Sequence, residues 1–269
     1  MTALVDRFGR RMSTLRISVT DRCNYRCVYC GPPADSPRES AALSCEEVAA
    51  VARAAVGLGI RRLRITGGEP LLRADIVGLV RLLSGIRGVG DLAMSTNGSL
   101  LGPELAQALA RAGLRRVNIS LDSLDGGRFS RITGGGRLED VLRGVDSALE
   151  AGLVPVKINM VVFEDTTEAD LERMRRFCSG RGLQLQTISR YDINDRSASL
   201  DHSCHRPPSC SDCGRLRLAV DGCLRPCLFS DRSVRVDLSD VEGSIRAAAA
   251  MKPRRGGVCS SRAISLIGG

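Results

Sequence analysis

The sequence predicts an α/β fold, a partial (β/α)6 barrel with a small C-terminal module, and three observations lead there. From about residue 15 to 187, short strand-like runs alternate with helix-length amphipathic segments, the pattern of successive βα units around a parallel sheet. The strands alternate apolar and polar residues, whereas strands covered by helices on both faces read as unbroken apolar runs. After Tyr191 the alternation of strands and helices stops and a cysteine-rich stretch begins.

The first strand, 15–19, sets Leu15, Ile17 and Val19 on one face and Arg16, Ser18 and Thr20 on the other. A helix over 46–56 follows, entered through Ser44 as its N-cap. The second strand, 63–66, opposes Leu63 and Ile65 to Arg64 and Thr66, and leads into a helix over 74–84. The third strand is 92–95, with a helix over 104–112. The fourth, 117–121, turns Asn118, Ser120 and Asp122 away from Val117, Ile119 and Leu121, and its helix spans 138–151. The fifth, 156–161, turns Lys157 and Asn159 away from Val156, Ile158 and Met160; a helix over 168–178 and a sixth strand, 183–188, complete the series. Gly59, Gly113 and Gly152 each follow a predicted helix, where a left-handed residue closes the last turn. So many polar side chains on one inner surface cannot be buried dry without large cost, which predicts a wet binding cavity. Residues 192–269 form the second module: a loop with both histidines, short cysteine-rich strands and a helix over 238–251. It is too small to bury much core unaided, so a metal staple is expected.

The 269 residues are 43% hydrophobic and 26% charged, ordinary values for a globular chain. No apolar run has the roughly 18 residues of a membrane span, and the N-terminus has no signal-peptide core, so a cytoplasmic protein without membrane contact is expected. Net charge is +9, carried by 37 arginines and only two lysines, Lys157 and Lys252. With eight aromatics and no Trp there is little for bases to stack on, so an anionic small molecule is favoured over nucleic acid. Eleven cysteines in a reducing compartment point to metal rather than disulfides. Cys45, Cys178 and Cys259 stand alone and read as buried small hydrophobes.

The other cysteines fall in two groups. Cys23, Cys27 and Cys30 form a C-x3-C-x2-C run directly after the first strand, with the aromatic Tyr29 before the last thiol. Three thiolates so spaced can wrap one face of a cubane cluster and leave its fourth iron open; a zinc site with one open position is the alternative. Gly67-Gly68-Glu69-Pro70 ends the second strand, on the rim where barrel active sites sit, and Ser95-Thr96-Asn97-Gly98 follows the third. The late group holds Cys204, Cys210, Cys213, Cys223 and Cys227, with Cys210, Cys213 and Cys227 spaced C-x2-C-x13-C.

The first cysteine run is the signature of the radical SAM superfamily, which this chain resembles. The stretches LRISVTDRC (15–23), RITGGEPLLR (64–73) and VNISLD (117–122), the segments 210–218 and 224–229, and the terminal Gly268 and Gly269 resemble its GTP 3′,8-cyclase family, of molybdenum cofactor biosynthesis. The resemblance implies a [4Fe-4S] cluster on Cys23, Cys27 and Cys30. It also implies S-adenosyl-L-methionine bound at Tyr29, Gly67, Gly68, Glu69, Pro70, Thr96 and Ser120, and an external electron donor. The radical so formed would take hydrogen from the ribose 3′ carbon, and the sugar radical would attack purine C8. The family further implies a second [4Fe-4S] cluster on Cys210, Cys213 and Cys227, with guanine at its open iron. Arg16, Arg215 and Arg217 would act on the substrate, which Arg64 and Lys157 also bind. The segment before the second cysteine group is shorter than in the family, and Gln186 stands where the family has a phosphate-gripping arginine. Another nucleotide or nucleoside, or a peptide, is the rival substrate. A zinc-stapled nucleic-acid-binding protein using His202, His205 and the late cysteines is the rival of another class.

Overall fold

Six parallel strands follow one another across the sheet in chain order, and that order determines where a ligand can sit. A computed structural model describes residues 3–30, 43–190 and 209–259; His202, Cys204, His205, Gly268 and Gly269 lie outside the described residues. The elements are β1 (Thr14–Ser18), α1 (Cys45–Gly57), β2 (Arg62–Thr66), α2 (Ile76–Ser84), β3 (Asp91–Thr96), α3 (Pro103–Arg111) and β4 (Arg116–Ser120). They continue as α4 (Gly126–Thr133), α5 (Leu138–Glu150), β5 (Lys157–Val162), α6 (Glu168–Gly180), β6 (Gln184–Ser189), β7 (Arg215–Leu218), β8 (Cys223–Arg225), β9 (Val234–Arg235) and α7 (Val241–Ala250). The sheet order is β6-β5-β4-β3-β2-β1-β7-β8-β9. Right-handed crossovers that never reverse direction put every connecting helix on the same face. The result is the partial barrel, with its other face open to a ligand.

The expected alternation is observed. Leu15, Ile17, Leu63, Ile65, Val117, Ile119, Val156 and Ile158 are buried in one core with the helices. On the inner face Ser18, Thr66 and Asn118 are buried, while Arg16, Arg64, Ser120, Lys157 and Asn159 keep part of their surface. Ser44 caps α1 in a reciprocal box with Glu47, and Thr167 does the same for α6 with Asp170. Helix α4 is absent from the sequence expectation. Its eight residues begin with two glycines and carry only Phe129 and Ile132 as large buried residues, too few to register as a period.

The C-terminal segment shares the barrel's sheet. Strand β7 pairs in parallel with β1, and β8 and β9 continue antiparallel. Leu216, Leu218, Leu224, Ile245 and Ala248 enter the common core, so this short segment uses apolar surface supplied by the barrel. No described helix is long and apolar enough to cross a membrane.

Helix α5 approaches the loop after β3 so closely that a Cβ on Gly144 would collide with the Gly98 carbonyl oxygen. Overpacking against rigid backbone costs about 1–3 kcal/mol, more than the roughly 1 kcal/mol that Ala gains over Gly in a helix. Gly144→Ala is therefore expected to lower the urea midpoint of unfolding with an unchanged m value.

Candidate active site

The first cysteine loop leaves the C-terminal end of β1 and is held from four sides. Against the turn after β2, Gly68 N donates to Thr20 O at 2.8 Å and Glu69 N to Arg22 O at 2.8 Å. Gly67 and Gly68 are needed there, because a Cβ on either would run into the Thr20 or Arg22 carbonyl, and Gly67 has φ +156°. Toward β3, Asn24 accepts from Asn97 Nδ2 at 2.8 Å and donates to Ser99 Oγ at 2.9 Å. On the α4 side, Arg26 N and Val28 N donate to Thr133 O and Ile132 O, each at 2.9 Å. From β4 and β5, Asp122 accepts from Tyr29 OH and from Val161 N, each at 2.8 Å.

Glu69 is fully buried. Its carboxylate accepts from Leu71 N at 3.0 Å, Thr96 Oγ1 at 2.7 Å and Asn97 N at 2.7 Å, which ties the β2 turn to the β3 loop. Burial pushes its pKa up, and the three donors oppose that rise. Thr96 and Glu69, both expected at the cofactor, thus meet each other. Pro70 opens a single 3-10 turn immediately after.

Cys23, Cys27 and Cys30 share this loop, and Cys23 Sγ accepts a hydrogen bond from Tyr25 N at 3.4 Å. The Cys27 thiol is held protonated first by its hydrogen bond with Cys30, then by burial. A thiol that coordinated iron would instead be deprotonated outright. Among the described residues no three Cys, His, Asp or Glu side chains have the spacing of a single-ion site. The fit to a cluster rests on three thiols in one braced loop with an amide on a sulfur. Ser18 Oγ and Asn159 Oδ1, on the inner face of β1 and β5, are buried with no hydrogen-bond partner, as groups are that await a polar ligand.

Register places the cations. Arg217, Arg16 and Arg64 are mutual partners on β7, β1 and β2, so they form one row on the inner face. Lys157 stands on β5 between Asn118 and Gln184, and Ser120, Asn159 and Gln186 form the next row toward the strands' C-terminal ends. Arg215 pairs with Thr14, one layer below Arg217, and its backbone and guanidinium both donate to Cys213.

Of the second cysteine group, Cys210, Cys213 and Cys227 lie at the opposite end of the strands. Cys210 and Cys213 precede β7, which runs parallel to β1, while Cys23 follows β1. Continuing the register of β7 and β8 sets Cys227 opposite Arg215. Burial raises the Cys213 thiol, but the charges of Arg215 and Lys252 win and hold it at about 7. Such a thiol is already disposed to act as a thiolate ligand. Arg10, paired with Asp6 at 2.6 Å, fastens this corner by donating to Cys210 O and to Pro253 O, each at 2.7 Å. Cys223 opens β8 at the end of the β7–β8 pair away from Cys213: Ala219 N donates to Cys223 O at 2.9 Å, and Cys223 N donates to Asp221 Oδ1 at 3.0 Å.

Helix α4 carries part of the site without any sequence motif of its own. Asp122 and Asn24 lie inside the VNISLD and C-x3-C stretches, where nothing marks them as braces, and Lys252 stands out only as one of two lysines.

The description of the radical SAM superfamily matches residues 17–178. The chain is 36% identical to a protein named GTP 3′,8-cyclase from Pelotomaculum thermopropionicum, in an alignment covering 98% of this chain and 99% of that one. It is 37% identical to the GTP 3′,8-cyclase of Petrotoga mobilis, over 90% of this chain and 88% of the relative. Among solved structures, Streptococcus suis SuiB bound to S-adenosylmethionine superposes with a TM-score of 0.69 at 16% identity, over 95% of this chain and 68% of SuiB. That last likeness is one of fold.

Burial raises Asp122 to about 6 from an ordinary 3.8, against the pull of its two donors. The folded state therefore binds a proton more readily than the unfolded chain, and stability from this group is full below 3.8 and lost as pH rises through 6. The difference amounts to about 3 kcal/mol at most. In urea titrations at matched pH, wild type is expected to gain on Asp122→Asn as pH falls from 7 to 4.

Proposed function

The chain belongs to the radical SAM superfamily, and from that premise we propose that it is a GTP 3′,8-cyclase with two [4Fe-4S] clusters. The observation that carries the substrate reading is the row Arg217, Arg16 and Arg64, flanked along the strands by a cysteine group at either end. A nucleoside triphosphate has the charge and the oxygens that this inner face can match.

Cys23, Cys27 and Cys30 would hold the first cluster, which with S-adenosylmethionine supplies a 5′-deoxyadenosyl radical. The turn at Gly67 and Gly68 would present backbone groups to the cofactor, with Tyr29, Ser120 and Asn159 nearby. Glu69 and Thr96 serve this site by fixing the two loops to each other, so the surface that meets the cofactor is preorganised. Arg16, Arg64, Arg217 and Lys157 would bind phosphate and sugar oxygens and stabilise negative charge during reaction. Arg215, beside Cys213, would act where the substrate meets the second cluster on Cys210, Cys213 and Cys227. Gln186, one strand beyond Asn159, keeps hydrogen-bonding capacity on the inner face but adds no charge.

The curated relatives favour a nucleotide over a peptide substrate, as does the concentration of arginine on β7, β1 and β2. Anaerobically reconstituted protein is expected to convert GTP to the 3′,8-cyclised nucleotide, and GMP poorly. Replacing Cys23, Cys27 and Cys30 together by Ala should abolish 5′-deoxyadenosine formation; undiminished formation would refute the cluster assignment. Arg217→Ala removes a charge-assisted contact worth roughly 1.5–3 kcal/mol, so product formation should fall about ten- to a hundredfold while uncoupled cofactor cleavage persists. Wild-type product rates in Arg217→Ala would refute the nucleotide reading.

A further inference from the structure

Lys252 is almost completely buried, and its charge lies in the corner that holds Cys213 and Cys227. Its Nζ donates to Arg215 O at 2.7 Å and to Pro226 O at 2.6 Å. Those carbonyls belong to the chain segments that carry Cys213 and Cys227, on either side of the β7 and β8 hairpin. The remaining donor reaches Cys213, and the other cation that the ammonium faces is Arg10. A buried ammonium placed against two carbonyls and a thiol is costly unless a negative group stands beside it.

The residue type adds to the geometry. In a chain with 37 arginines, an ammonium is kept at this position and at Lys157 only. One tetrahedral nitrogen can point three donors at two strands and a sulfur at once, which a planar guanidinium cannot do from the same point.

We propose that Lys252 is the positioning residue of the second cluster: it locks the two ligand-bearing segments together and donates to the Cys213 sulfur, so that it sets both the retention and the reduction potential of that cluster. The inference rests on the reading of Cys210, Cys213 and Cys227 as cluster ligands. Positive charge and hydrogen bonds at a cluster sulfur favour the more negative, reduced form. Removing them shifts the potential to more negative values.

The test uses the full-length chain with Cys23, Cys27 and Cys30 replaced by Ala, in which only the second cluster can form. With Lys252 present, this chain is expected to bind about four irons. If it binds none, the second-cluster reading fails, whatever Lys252 does. In that background Lys252→Gln, which keeps donors and loses charge, should retain iron but show a more negative midpoint potential and an altered electron paramagnetic resonance signal. Lys252→Met, which loses both, should lose most of its iron. The same two substitutions in the chain with all its cysteines should leave the first cluster's iron in place. Wild-type iron content and potential in both variants would overturn the proposal. So would loss of both clusters from both variants, which would assign Lys252 to folding alone.

Discussion

Strand β1 carries parallel neighbours on both edges, β2 and β7, and its register decides where the functional groups stand. Partners in adjacent parallel strands share a face, so Arg16 brings Arg64 and Arg217 into one row without any contact between their side chains being required. The strands also run the same way. A loop that follows β1 and a loop that precedes β7 must then lie at opposite ends, separated by about 13 Å of strand. Two cysteine groups with a cationic surface between them follow from that one pairing.

The first cysteine loop shows how a cofactor loop is made rigid without regular structure of its own. Its backbone amides and carbonyls are satisfied by the β2 turn and by the end of α4, and its side chains by Asn97, Ser99 and Asp122. The braces come from three successive βα units, those that begin with β2, β3 and β4. Displacing any one of them leaves a polar group without its partner, so the loop's position is coupled to the curvature of the whole sheet. Glycine is spent where backbone meets backbone, at Gly67 and Gly68 under the loop and at Gly144 behind the β3 turn.

Charge is organised on the same frame. Some arginines pair within a helix, as Arg143 does with Asp140 and Arg175 with Glu168, and others across strands, as Arg116 on β4 does with Asp91 on β3. Those on β1, β2 and β7 differ by position and not by type. The two lysines mark places where a compact ammonium is used, one on the inner face of β5 and one beneath the β7 and β8 hairpin.

The amino-acid sequence by itself determined the strands, most helices and the spacing of the two cysteine groups. Apolar alternation and residue spacing are local properties, readable over a few residues. Leu15, Ile17 and Val19 declare a face, and Cys23, Cys27 and Cys30 declare a three-thiol loop, whatever surrounds them. Only the tertiary structure decided that β7 joins β1, that Glu69 clamps Thr96 and Asn97, and that Asp122 reaches Tyr29 and Val161. Each of these depends on pairing between segments tens to hundreds of residues apart, and no periodicity encodes a partner at that distance. Helix α4 belongs with them: its own residues specify it weakly, and its packing against the cysteine loop gives it its place.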